Sequence, residues 1–196
     1  MSHLPDQKII GLTGTIGSGK STVAKLLAQT YPVIDCDAVN ARLLEPGQKG
    51  FEQLKTLDYI ALKDGKIDKQ HMANKIFCDP KKKREVESLL HPLIFEEVNT
   101  WVGRQNAKIL FVEMPILFEI GAQSCFDEIW CVVCNEQTAI ERLMKYRNFS
   151  YEQAKMRIEN QWSQDQKRAQ STIVIDNSGS FDQLKRTVLH YEERLR

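Results

Sequence analysis

Short apolar runs alternate along the chain with longer stretches in which apolar residues return every three or four positions, and that alternation sets the expected elements. "KIIGLTG" at 8–14 reads as a buried strand entering a glycine-rich loop, and "KSTVAKLLAQTY" from Lys20 has the spacing of a helix leaving it. Pro32 ends that helix and "VIDCD" at 33–37 reads as a second strand, so the opening is a βαβ unit with parallel strands. From Phe51 to Gln105 the pattern is helical, with no strand expected. Asp68, and Asp79 followed by Pro80, are expected helix N-caps, and Pro92 is expected to break or kink the helix carrying "VESLLHPLIFEEV". Continuous apolar runs resume with "KILFVE" at 108–113, "EIWCVVC" at 128–134 and "STIVID" at 171–176, each suited to burial on both faces of a sheet. Ser150 with Gln153, and Ser180 with Gln183, have the spacing of capping boxes, the second opening an amphipathic helix that runs through Leu195. The expected fold class is α/β: a doubly wound parallel sheet of about five strands, with a helical insertion after strand two and a second helical pair after strand four.

Composition narrows the setting. With 196 residues, 42% hydrophobic and 27% charged, the chain suits one soluble domain, and its net charge of +1 gives no excess that would seek nucleic acid. No run approaches the ~18 apolar residues of a membrane span, and "MSHLPDQKII" lacks an apolar leader, so no membrane partner and a cytoplasmic location are expected. Cys36, Cys78, Cys125, Cys131 and Cys134 are odd in number and scattered, which argues for a reducing compartment and against a disulfide framework. Cys131 and Cys134, three apart in a strand, face opposite sides and are read as core. "DPKKKREVE" is read as a solvated helix face. Trp101, Trp130 and Trp162 are read as packing residues, with contact to adenine a second reading for Trp162.

Chemistry concentrates at the first loop. Gly14, then Gly19-Lys20-Ser21, satisfies G-x-x-x-x-G-K-[ST] between an expected strand and an expected helix, the context that gives this motif its meaning. Gly14, Thr15, Ile16, Gly17, Ser18, Gly19, Lys20, Ser21 and Thr22 are therefore the expected nucleotide cradle. Its amides and the helix N-terminus face phosphate, Lys20 adds a point charge, and the Ser21 hydroxyl is offered to Mg²⁺. The loop alone does not separate hydrolase from kinase. A guanine reader is lacking, because Asn74-Lys75 is followed by "IFCD". Asp35 and Asp37, two apart in the expected second strand, would point the same way, one to accept a hydroxyl proton and one to organise metal-bound water. The alternative at that point is a strand-ending turn with a helix cap at Asp37.

"GLTGTIGSGKSTVA", "VIDCDAVNARLLEPG", "LLHPLIF", "PILFE" and "KRAQSTIVIDNSG", in this order from Ile9 to about Leu189, together resemble the dephospho-CoA kinase family. The resemblance implies a P-loop core over 1–40, 107–136 and 169–196, a helical insertion on the CoA side over 41–106, and a lid over 137–168. It implies transfer of the γ-phosphate of ATP to the 3′-hydroxyl of dephospho-CoA, with ATP and Mg²⁺ as cofactors, by a monomer or weak homo-oligomer. It makes Asp37 the base, Asp35 its support, Lys20 and Arg142 the catalytic cations, and Thr13, His91 and Pro115 residues near the acceptor. Glu113, ending the third strand like a Walker B acid, or Asp35, would assist Ser21 at the metal through water. The alternative for His91 is a helix-end cap, and Asn177 matches without an assigned role.

Departures from the family pattern are Thr15 where a glycine is usual, Tyr146-Arg147-Asn148 with the second lid arginine displaced by one position, Lys69 for an arginine, and Ser171-Thr172 for Ala-Asp. Two other readings stay open from the residues alone. One is another small P-loop kinase acting on a nucleoside or nucleotide hydroxyl, and the other is an ATP-binding regulatory module.

Overall fold

The computed structural model describes residues 7–195. Strands β1 (Lys8–Gly14), β2 (Val33–Asp35), β5 (Ile109–Glu113), β6 (Glu128–Val133) and β7 (Ile173–Asp176) form a five-stranded sheet in the order β2-β5-β1-β6-β7. β1 lies parallel between β5 and β6, with Leu12 opposite Glu113 and Thr13 opposite Cys131, and β6 pairs parallel with β7. The chain thus crosses from one side of β1 to the other, and the loop after β1 opens at the switch point where ligands sit in open α/β sheets.

The period-2 pattern of the strands explains the core. Ile10, Leu12, Phe111, Trp130, Val132, Ile173 and Ile175 line one face, against Val23, Ala24 and Leu27 of α1 (Lys20–Leu27) and Leu184 and Val188 of α9 (Phe181–Glu193). Phe111 meets Trp130 edge-on at 5.1 Å, and the buried Trp130 donates its indole N–H to Glu128 at 3.1 Å, so this tryptophan is a packing residue as expected. Among the described residues no helix is long and apolar enough to cross a membrane.

Residues Asp35–Val102 form a compact unit distinct from the remainder of the described chain. Its elements are α2 (Cys36–Leu43), α3 (Lys49–Leu54), a hairpin of β3 (Leu62–Lys63) and β4 (Lys66–Ile67), α4 (Lys69–Cys78) and most of α5 (Pro80–Gly103). Leu44, Phe51, Leu54, Ile60, Ile67, Met72, Val86 and Leu90 make its own core. Asp68 caps α4 by accepting the His71 N–H, and Asp79 accepts from Lys81 and Lys82 at the start of α5.

Three expectations are corrected here. The second strand stops at Asp35, because the Asp35 carboxylate accepts the N–H groups of Asp37 and Ala38 and so caps α2, which begins at Cys36. Asp35 and Asp37 are therefore cap and first-turn residues, not neighbours on a strand face, and the cap is Asp35 rather than Asp37. A hairpin stands where no strand was expected; Asp64 (φ 52) and Gly65 (φ 74) supply the two left-handed turn positions that such a tight reversal requires. Pro92 lies inside α5 without ending it. Val86, Leu90, Leu93, Val98 and Val102 are buried on both sides of the proline, while Pro92 and Ser88, the residue whose carbonyl loses its helical partner, are exposed to water.

In the rest of the chain, α6 (Glu136–Arg147) and α7 (Tyr151–Glu159) pack through Ile140, Leu143 and Ala154, with Ile16 of the first loop against them. The capping boxes of Ser150 and Ser180 form as expected. A third, Ser163 with Gln166, opens α8 (Gln164–Ala169).

Candidate active site

The loop after β1 turns on glycines that nothing larger could replace. A Cβ at Gly14 would strike the Val132 carbonyl and lie 2.8 Å from the Ser18 hydroxyl; at Gly19, which holds φ at 87°, it would strike the Asn177 side-chain amide. Thr15 is not among the left-handed residues, so the usual second glycine is dispensable here, and the Thr15 carbonyl simply accepts the Ser18 N–H at 3.2 Å. Thr22 and Val23 close the first bonds of α1 onto the Gly19 carbonyl. The Lys20 and Ser21 amides precede those bonds, so they stand at the positive end of the helix dipole with no intrahelical acceptor.

Beneath the loop one carboxylate oxygen gathers the two side chains of the motif. Glu113, ending β5 and almost wholly buried, accepts from the Lys20 ammonium at 2.9 Å and from the Ser21 hydroxyl at 3.0 Å. The strand-ending acid thus lies where the sequence placed it. A second cluster stands beside the loop: Asn177, just past β7, donates its side-chain N–H to the Ser18 carbonyl at 2.8 Å. Arg142 of α6 donates to the same carbonyl at 3.4 Å and to the Asn177 carbonyl at 2.9 Å. Arg142 is therefore at the cradle, bonded to carbonyl oxygens.

A third cluster lies on the segment after β5. Thr13 and Lys167 both donate to the Pro115 carbonyl, at 3.2 and 2.9 Å, and the fully buried Lys167 pairs with Glu119 at 2.8 Å. Glu119 also accepts the Trp162 N–H at 3.1 Å, and next to it Gln161 accepts the Ile16 N–H of the loop at 2.8 Å. The glycine loop thus gathers a buried acid, the Lys20 and Arg142 cations and polar clasps, a set of groups suited to phosphate.

The profile of the dephospho-CoA kinase family matches residues 8–183. The chain belongs to that family. A Staphylococcus haemolyticus dephospho-CoA kinase is 36% identical over 187 residues, covering 92% of each protein. A solved Thermus thermophilus structure superposes with a TM-score of 0.88 at 34% identity over the full length of both chains. The Campylobacter jejuni dephospho-CoA kinase, at 22% identity, 95% of this chain, 96% of that one and a TM-score of 0.68, bears on the fold alone. The molecule is thus an ATP-dependent phosphotransferase of the dephospho-CoA kinase family on a P-loop α/β core.

Within the unit formed by residues 7–34 and 103–195, residues from β1, α1, β5, α6 and the turn after β7 converge on the first loop, as given above. Asp35, Asp37 and His91 belong to the 35–102 unit. There Asp37 is exposed in the first turn of α2, its N–H held by Asp35 at 2.8 Å. His91 sits in mid-α5, which corrects the helix-end reading, and burial pushes its pKa below the ordinary 6.5 against an opposing pull from Glu87. Arg147 is exposed in the last turn of α6, which ends at a left-handed Asn148. Trp162 stacks on Phe118, ring centroids 5.8 Å apart and nearly parallel, so the packing reading accounts for its ring.

Sequence reasoning assigned no part to Gln161, Lys167, Glu119 or Asn177, although the last three stand in stretches that carried the resemblance. Cys134 places its thiol 3.7 Å from the Gly17 carbonyl, and burial raises both cysteines of the pair, Cys131 to about 11, as inert core thiols require.

Proposed function

We propose that the chain transfers the γ-phosphate of ATP to the 3′-hydroxyl of dephospho-CoA. The observation that carries the donor half is the convergence of Lys20 and Ser21 on Glu113 under a glycine loop at the positive end of α1; family membership carries the acceptor. The loop amides and Lys20 hold the triphosphate and offset the charge of a loose transition state. Arg142, already anchored at the loop, supplies a further cation near the transferring group. Asp37 takes the proton from the 3′-hydroxyl as it attacks. Asp35 serves this step indirectly, because its cap fixes the first turn that carries Asp37. Thr13, Pro115 and His91 contribute to the acceptor side.

The residues present fit Mg²⁺. Ser21 and Glu113 offer a hydroxyl and a carboxylate 3.0 Å apart, hard oxygen donors suited to an ion shared with nucleotide phosphates rather than held in an all-protein cage. Asp35 is a second candidate through water. When bound, the ion would offset the negative charge of the nucleotide phosphates. The reading carries with it residues 137–168 as a lid, residues 41–106 as the CoA side, and a cytoplasmic monomer or weak homo-oligomer.

An acceptor panel tests the assignment. ADP release in Mg-ATP should rise at least a hundredfold on adding dephospho-CoA and stay near background with nucleosides or nucleoside monophosphates. Release that is equal with all acceptors, or with none, would overturn it.

A further inference from the structure

The Ser18 carbonyl is one point at which Asn177, just past β7, and Arg142 of α6 meet the loop. Two donors draw it away from the loop: the Asn177 side-chain amide at 2.8 Å and the Arg142 guanidinium at 3.4 Å. A trans peptide is planar, with its C=O and the next N–H pointing in opposite directions. Fixing the Ser18 oxygen toward Asn177 therefore turns the Gly19 N–H away from Asn177. Without those donors the same peptide can rotate, and its dipole, about 3.5 D, would then present oxygen where a phosphate needs N–H.

Asn177 is built for this task. It is almost fully buried, its own N–H donates to the Val133 carbonyl at 2.7 Å, and its carbonyl is held by Arg142 at 2.9 Å. Its carboxamide lies so close to Gly19 that no Cβ fits there. The Thr15–Ser18 turn fixes the other end of the same residue.

We infer that Asn177 is a positioning residue for nucleotide binding, setting the Ser18–Gly19 peptide so that the Gly19 N–H joins the phosphate cradle. This rests on the reading of Gly14–Thr22 as that cradle. The test is calorimetric titration of the unaltered protein, Asn177→Ala and the nearly isosteric Asn177→Asp with Mg-ADP and, separately, with dephospho-CoA. The Gly19 amide resonance is followed as Mg-ADP saturates.

Losing a buried donor should raise the Mg-ADP dissociation constant about tenfold or more in both variants. Dephospho-CoA affinity should stay within twofold, and the Gly19 amide shift on saturation should fall by at least half. Mg-ADP affinity within twofold of the unaltered protein, or an equal loss for both ligands with a lowered Tm, would overturn the inference. Failure of the unaltered protein to bind Mg-ADP would instead overturn the reading of the loop itself, and the inference with it.

Discussion

Lys167 and Glu119 form an ion pair at 2.8 Å in which the lysine side chain has no exposed surface and the glutamate keeps 20% of its own. The asymmetry sets the consequence of breaking it. Glu119→Ala strands a buried ammonium whose remaining acceptor is the Pro115 carbonyl, whereas Lys167→Met removes the charge and leaves Glu119 within reach of water. We expect a loss of about 3–5 kcal/mol for Glu119→Ala and a smaller one for Lys167→Met. Urea denaturation of the two variants measures both, and the reverse order would contradict this account of the pair.

Lys20→Ala and Ser21→Ala remove the two groups that share Glu113. Lys20→Ala should lower kcat/KM by about three orders of magnitude or more, the scale of losing a cation that acts on the transferring group. Ser21→Ala should raise the magnesium concentration needed for half-maximal rate. A magnesium titration of steady-state rates separates the two effects, provided circular dichroism shows both variants folded.

The two aspartates after β2 should part company. Asp37→Asn should abolish transfer while Mg-ADP binding and Tm stay near those of the unaltered protein. Asp35→Ala should cost about 1 kcal/mol of stability as a lost N-cap and slow transfer only in part. Near-normal kcat in Asp37→Asn would remove it from the role of base.

His91 gives a pH signature. Its pKa is depressed by burial, so the unfolded chain binds more protons than the folded one just below the ordinary 6.5. Folding stability should therefore fall as pH drops through 6.5 toward the depressed value, and His91→Gln should flatten that part of the curve. Identical slopes between pH 7 and 5 would show that His91 is not the source.

What the sequence disclosed and what it hid follow from range. Gly14 and Gly19-Lys20-Ser21 were legible because a phosphate loop is local chemistry between two periodic elements, and the sheet was legible because its strands are continuous apolar runs. Asp35 was misread because a strand end and a helix cap differ by only two residues. The hairpin at Leu62–Ile67 is too short to show a period. Pro92 does not end α5, since burial either side outweighs one lost helical bond. Lys167 lies in the polar stretch "SQDQKRAQ", which carries no apolar period, and its partner is 48 residues away. Asn177 meets Ser18 across 159 residues, a relation that only folding creates.

The most direct test of the central claim is a ³¹P NMR time course of the protein with Mg-ATP and dephospho-CoA, beside a sample without acceptor. The account expects a new 3′-phosphomonoester resonance growing in step with ADP, and neither signal in the control. ADP with no such resonance, or no ADP at all, would contradict it.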